Sequence, residues 1–227
     1  MTSARHPVRF PGESEAYRAA RDRLLEKEIE LRQGLETVAA LRRELPLGGR
    51  VKEDYVFEDA TADGARSVRL SELFAPGRRS LIVYSFMYGP AVAEPCPMCT
   101  CFLDGVNAYA PHLAERVNLV VVARSPAARL RAWARQRGWG RLRLLSSANN
   151  TYNIDYAAET PDGQQLPACN VFTARDAGIF HFWSAEMLYV PTPGHPRHLD
   201  LLWPIWSFFD LTPEGRGTDW LPKLSYG

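Results

Sequence analysis

The sequence has little that would point to nucleic acid or to a membrane as a partner. Its 27 basic and 26 acidic residues leave a formal net charge of +1 over 227 residues, so no electrostatic case for either partner arises from composition. No apolar run reaches the length of a membrane span. Gly-rich phosphate loops, internal repeats and low-complexity tracts are also missing. What remains is a chain of ordinary composition, long enough for one enlarged domain or one domain with extensions.

Cysteine is scarce, and its distribution is uneven. Four cysteines are too few to form a disulfide-stapled scaffold in a chain of this length. The first residues lack the apolar core of a secretory signal, so we expect the protein to stay in the cytoplasm. Cys96, Cys99 and Cys101 fall within six residues. In a reducing compartment, such clusters are more often catalytic or metal-binding than structural.

The N-terminal pattern predicts one long helix from Glu13 to Leu45. Apolar side chains recur there every seven residues, at Tyr17, Leu24, Leu31, Val38 and Leu45. Pro46 and the following glycine pair end the pattern. The second heptad position is poor in apolar residues, which favours a helix packed on its own domain or on a partner subunit over a free coiled coil.

A strand, a helix and a second strand follow one another around the cysteines. The continuous apolar run 80–87 predicts a strand buried on both faces, and 117–124 predicts another. The helical pattern of 96–112 lies between them, so the three form a βαβ crossover with parallel strands. Segments 168–173 and 179–183 are typical of a hairpin.

Shorter elements complete the prediction. Segments 55–57 and 68–70 resemble two strands around a turn, a helix ends at Gly138, and 142–145 is typical of a strand. An aromatic tail follows. We therefore divide the chain into an N-terminal helical arm (1–49), an α/β domain (50–190) and a C-terminal extension (191–227).

Cys96 and Cys99 form a Cys-x-x-Cys where a parallel strand gives way to a helix. Ligands and chemistry gather at the carboxyl ends of the strands in open α/β sheets. The helix N-terminus offers unpaired N–H groups and the positive end of the dipole, which favour a Cys96 thiolate. Cys99 lies one turn further and can close a disulfide. We therefore expect Cys96 to attack a substrate disulfide and Cys99 to resolve the mixed disulfide that forms.

Other residues have competing interpretations. Arg124 ends the second buried strand, where it either favours the Cys96 thiolate or is an ordinary surface arginine. Cys101 is expected to pack inward, because residues two apart on a helix do not share a face. Cys169 is expected to be a buried core cysteine. A metal or metallocluster site using Cys96, Cys99 and Cys101 is the main alternative, although a second Cys-x-x-Cys is missing.

The sequence also resembles a bacterial family with a thioredoxin-like fold, catalogued as a domain of unknown function and described as predicted dithiol–disulfide oxidoreductases. The resemblance runs through most of the chain. It is carried by "LLEKEIEL", "VKEDYVFED", "LIVYSFMYGP", "CPMCTCFLDGVNAYAPHL", "LVVVARSPAARLRAWARQRGW" and "FFDLTPEGRG". It implies a three-layer α/β sandwich of the thioredoxin-like kind.

The resemblance adds one residue to the predicted site, and it shows one position at which this chain differs from the family. It implies that Pro167, in "LPACNVF", is the cis-proline that faces Cys96 and walls the substrate side. Ser85 stands where the family often has histidine, a residue that could move protons for the dithiol. Either water, Glu94 or Asp104 takes that task, or this member is less active than its relatives.

Thiol–disulfide exchange in the cytoplasm is the function we predict from these patterns. Its partners are a disulfide or thiol substrate and an external thiol reductant, with no further cofactor. Peroxide reduction is a weaker alternative, because the Thr-x-x-Cys pattern of peroxiredoxins is missing and Ala93 takes the threonine position. A non-catalytic scaffold that binds a partner is the third.

We predict a homodimer in solution, because the heptad stripe and the aromatic tail expose more apolar surface than a solvated arm needs. Light scattering at micromolar concentration should give twice the 25.6 kDa chain mass. A monomeric mass would mean that both segments only cover their own domain.

Overall fold

The chain divides into two compact units between Pro46 and Leu47. We describe it from a computed structural model that covers residues 6–61, 66–190, 203–215 and 217–226. The first unit contains helix α1 (Glu15–Arg43), which lies within the predicted limits. The Ser14 hydroxyl accepts a hydrogen bond from the Tyr17 N–H at 3.1 Å and so caps its start. No residue of α1 is buried, and the pairing of its apolar stripe with a second copy stays a prediction.

The second unit is built on one seven-stranded sheet with the order β2-β1-β5-β4-β3-β6-β7. The strands are β1 (Val56–Asp59), β2 (Ser67–Arg69), β3 (Ser80–Ser85), β4 (Asn118–Ala123), β5 (Leu144–Ser146), β6 (Ala168–Arg175) and β7 (Gly178–Ser184). The helices are α2 (Pro97–Ala114), α3 (Ala127–Arg137), α4 (Tyr152–Asp155) and α5 (Ile205–Asp210). The two short helices α4 and α5 carry no strong periodic signal, and the sequence analysis missed them.

The connections give the thioredoxin-like topology. Strands β3 and β4 are parallel and joined through α2, which confirms the predicted crossover. Strand β6 then returns antiparallel to β3, and β7 pairs antiparallel with β6 as the predicted hairpin. Short antiparallel strands β1 and β2 extend the edge beyond β5. None of the described helices is long and apolar enough to span a membrane.

Two cores lie on opposite faces of this sheet, because alternate residues of a strand point to opposite sides. Along β3, Leu81 and Val83 belong to one core and Tyr84 to the other. Leu103 of α2 and Leu130 of α3 pack into the Tyr84 core. A 3₁₀ turn (Leu70–Leu73) and α4 cover the opposite face. The result is a three-layer α/β sandwich.

The aromatic tail joins the Tyr84 core. Trp203 and Trp206 are buried there, and the Trp203 ring meets Phe102 of α2 edge to face at 6.1 Å between centroids. Both tryptophans therefore belong to the same compact unit as the sheet. Residues 191–202, where the predicted extension begins, lie outside the described residues.

The packing of α2 on the sheet should be sensitive to a single core deletion. Leu103→Ala removes a side chain that is 0% exposed, and we expect a loss of about 2–5 kcal/mol in the free energy of unfolding. Leu211→Ala is the matched control, because Leu211 is 80% exposed and its truncation should cost less than about 0.5 kcal/mol. Urea unfolding followed by tryptophan fluorescence measures both; equal losses would contradict the assigned core.

Candidate active site

Cys96 is the N-cap residue of α2, so the helix starts where the sequence places it. The Cys96 carbonyl accepts hydrogen bonds from both the N–H and the hydroxyl of Thr100, each at 3.0 Å. Pro97 follows as the first helical residue, where its missing N–H costs nothing. The Cys96 N–H donates to the Met87 carbonyl at 3.1 Å. The Cys96 backbone is thereby fixed on both sides at the start of the helix.

Cys99 lies beneath Cys96, one turn into the helix. Cys99 is 3% exposed, whereas Cys96 is partly accessible, and all four cysteines are free thiols. The Cys99 thiol donates a hydrogen bond to the Cys96 sulfur. Cys96 and Cys99 therefore form one hydrogen-bonded pair, with Cys96 partly accessible to solvent and Cys99 shielded from it.

The environment separates the pKa values of the two thiols. The hydrogen bond from the Cys99 thiol does most to lower the pKa of Cys96. Burial opposes it, and the backbone N–H groups of Cys99 and Met98 help, so the pKa falls to about 6. The same hydrogen bond, with burial and the charge of Cys96, raises the pKa of Cys99 well above its ordinary value. Cys96 is mostly thiolate at neutral pH, and Cys99 is a thiol.

Tyr84 is a residue of this site that the sequence analysis missed. Its hydroxyl donates to the Cys99 sulfur, and this bond works against the raised pKa of Cys99. Tyr84 is buried, its ring lies 4.7 Å from that of Phe102, and it pairs with Cys169 across β3 and β6. Strand alternation puts Tyr84 on the opposite face from Leu81 and Val83, but only the tertiary structure shows that α2 covers the face of Tyr84.

Asp104 is already committed to other partners. It pairs with Arg137, and its Oδ1 accepts a 2.8 Å hydrogen bond from Trp139 Nε1. Ser85 follows Tyr84 on β3, so alternation directs it to the opposite face of the sheet from α2. The serine that replaces the family's histidine at position 85 therefore lies on the face of the sheet opposite the two thiols.

Arg124 forms a different set of contacts from the one expected. Its Nε lies 2.9 Å from Oε2 of Glu159, an ion pair in which the glutamate side chain is only 9% exposed. Its Nη1 donates to the carbonyls of Ser147, Ala148 and Asn150 at 2.7–3.2 Å. These contacts tie the loop after β5 to the end of β4. A contribution of Arg124 to the Cys96 thiolate stays a prediction.

Pro167 requires one correction. The resemblance implies a cis-proline, but no described peptide bond is cis, and the Leu166–Pro167 bond has the trans form that is the lower-energy state of X–Pro bonds. Pro167 directly precedes Ala168, which pairs with Ser85 at the end of β3. Its role as the substrate-side wall stays a prediction.

The remaining cysteines do not complete a metal site. Cys169 is a buried core residue, as expected, and burial raises its pKa to about 12. Cys101 is partly buried, and burial raises its pKa as well. Within the described ranges, no three His, Cys, Asp or Glu side chains are grouped to hold a metal ion. The arrangement therefore does not support the metal alternative that used Cys96, Cys99 and Cys101.

Comparison with known proteins identifies a family and a set of similar folds. A family model described as a bacterial protein of unknown function, DUF899, matches residues 6–226, and this description assigns no activity. No curated protein matches the chain.

Similar solved structures include AhpC of Enterococcus faecalis, with 14% identity, a TM-score of 0.48 and coverage of 73% of this chain and 93% of that one. Peroxidoxin BcpB of Mycobacterium tuberculosis has 18% identity, a TM-score of 0.44 and coverage of 71% and 98%. The reduced 2-Cys peroxiredoxin of Plasmodium vivax has 16% identity, a TM-score of 0.46 and coverage of 59% and 81%. At these identities and scores, the likeness says nothing about chemistry.

The titration of the two thiols is directly testable. Alkylation of Cys96 by iodoacetamide should rise with a midpoint near pH 6 and level off above it, because only the thiolate reacts. Tyr84→Phe should raise the pKa of Cys99, since it removes a hydrogen bond that lowers it. Ultraviolet absorbance of the thiolates against pH reads both sites.

Tyr109→Phe is the control, because Tyr109 is a partly buried tyrosine of α2 whose own pKa is raised by burial alone. It should leave both thiol titrations unchanged. A Cys96 midpoint near the ordinary thiol value of about 8.5 would contradict the site described above.

Proposed function

This chain belongs to the bacterial DUF899 family, whose function is unknown, and we propose that it is a thiol–disulfide oxidoreductase. One observation carries the proposal: a partly exposed Cys96 at the start of α2 accepts a hydrogen bond from the buried thiol of Cys99. This arrangement provides a nucleophile that is ionised at neutral pH and a second thiol within reach of the same sulfur.

The first step is attack of the Cys96 thiolate on one sulfur of a substrate disulfide. A Cys96–substrate disulfide bond forms, the substrate S–S bond breaks, and the leaving sulfur departs as a thiolate that takes a proton from water. Cys96 needs no base for this step, because it is already ionised at neutral pH. Partial exposure of Cys96 lets the substrate sulfur approach.

The second step is attack of Cys99 on the Cys96 sulfur, and the first step prepares it. Two of the three influences that keep Cys99 protonated are its hydrogen bond to Cys96 and the Cys96 charge. Both end when Cys96 becomes part of a neutral mixed disulfide. The hydrogen bonds from Tyr84 and from the Met87 N–H remain, and both favour a Cys99 thiolate.

The electrons then balance over the whole cycle. Cys99 loses its proton to solvent and forms the Cys96–Cys99 disulfide, while the second substrate sulfur leaves and is protonated. The substrate disulfide has gained two electrons and two protons, and the protein dithiol has lost them. An external thiol reductant, acting in the cytoplasm, returns the protein to the dithiol state. Pro167 walls the substrate side, and the reaction needs no further cofactor.

Variants of the two thiols should separate their roles. Cys96→Ser should abolish exchange with a model disulfide, because it removes the nucleophile. Cys99→Ser should still attack but accumulate a mixed disulfide, because the resolving thiol is gone. Intact-protein mass spectrometry detects the adduct, and titration of the unchanged protein against a dithiol buffer should show one two-electron transition.

Cys101→Ser is the matched control, and it should exchange at the normal rate without trapping an adduct. Full turnover by Cys99→Ser, or trapping by Cys101→Ser, would reassign the resolving thiol. Stoichiometric zinc, copper or iron in freshly purified protein, without a redox transition, would overturn the proposed function.

A further inference from the structure

The segment between β3 and α2 leads directly into Cys96, and its sequence offers few hydrogen-bond donors of its own. Residues 89–95 read "GPAVAEP", with two prolines that lack an N–H and side chains that are mostly too apolar to hydrogen-bond. Residues 90–94 are exposed, so their carbonyl groups can bond either water or donors from elsewhere in the chain. We call residues 88–95 the approach loop.

Arg129 of α3 supplies these donors. Its Nη1 donates to the carbonyls of Gly89 and Pro90, both at 3.3 Å. Its Nη2 donates to the carbonyl of Ala93 at 2.8 Å and also to that of Val92. One guanidinium thus gathers four carbonyls from a stretch of five residues.

Arg129 also contacts Tyr88, the first residue of the approach loop. Arg129 Nε donates to the Tyr88 hydroxyl at 2.9 Å, and the guanidinium carbon lies 4.4 Å from the centre of the Tyr88 ring. Tyr88 is itself buried, with its ring against Trp133 of α3. The guanidinium is therefore anchored to a buried tyrosine of the core as well as to the loop carbonyls.

We propose that Arg129 is a positioning residue for the redox pair, because it fixes the approach loop that sets the backbone of Cys96 at the start of α2. This inference rests on the proposed function and extends it to a residue that touches neither sulfur. The link is short: the Cys96 N–H bonds the Met87 carbonyl on one side of the loop, and Ala93 lies three residues before Cys96 on the other.

The chemistry of the side chain explains why arginine is needed. A guanidinium presents its donors in a planar fork, which can serve several carbonyls and a hydroxyl at once. A lysine ammonium has three donors at one point and cannot span the loop. We therefore expect Arg129→Lys to raise the alkylation midpoint of Cys96 less than Arg129→Met does.

The test measures how Cys96 alkylation depends on pH in full-length reduced protein. Arg129→Met should raise the midpoint by about one unit and slow alkylation at pH 6 by about fivefold, because the thiolate fraction falls. Arg131→Met is the control, since Arg131 lies on the same helix and donates to the Ala60 carbonyl at 3.0 Å, away from the approach loop. It should leave the profile unchanged.

Thermal unfolding of each variant separates positioning from general loss of stability. A normal alkylation profile in Arg129→Met would overturn the proposal, as would equal shifts in both arginine variants. If Arg129→Met does not fold, Tyr88→Phe removes only the hydroxyl that binds Nε; it should shift the midpoint the same way but less, and no shift would count against the proposal. A shifted profile without disulfide exchange by the unchanged protein would reject the proposed function and leave the positioning role intact.

Discussion

The hydrogen bond from the Cys99 thiol to Cys96 is the interaction on which the rest of the site depends. It lowers the pKa of one sulfur and raises that of the other, so a single contact makes two chemically identical side chains unequal. The difference requires an α-helix that begins at Cys96, because only then does Cys99 lie one turn below and face the sheet. It also requires burial of Cys99, which helps to raise the pKa of that thiol.

The sheet provides that burial. Strand β3 carries Tyr84 on the face that α2 covers, so the tyrosine hydroxyl can donate a hydrogen bond to the Cys99 sulfur. A phenol at this position stays neutral at working pH, since burial raises its pKa well above the ordinary value. A neutral donor avoids the large cost of keeping an isolated charge in a buried core. Tyr84 thus favours a Cys99 thiolate without adding a second charge to the core.

Helix α3, which lies outside the sheet, holds the approach loop in place. Helix α3 follows β4, the neighbour of β3, and so starts beside the approach loop. The Ser125 N–H just before α3 donates to the Tyr88 carbonyl at 2.9 Å, and Arg129, one turn later, donates to the carbonyl of Gly89. A long loop next to a nucleophile would ordinarily sample many conformations, at an entropic cost of about 1–2 kcal/mol for each residue that is fixed. Several charge-assisted hydrogen bonds from one side chain offset part of that cost.

Much of the architecture could be predicted from the sequence, because its signals are local. The apolar runs of β3 and β4 and the helical pattern between them predicted the crossover, and the Cys-x-x-Cys at the start of that helix made Cys96 and Cys99 the candidate thiols. The tertiary structure decided the partners of the polar side chains. Arg124 pairs with Glu159, and Arg129 bonds Tyr88 across 41 positions of sequence. Tyr84 meets Cys99, although in the sequence it is only one more residue of a buried run. Such contacts leave no periodic trace in the chain, because they depend on which elements the sheet brings together.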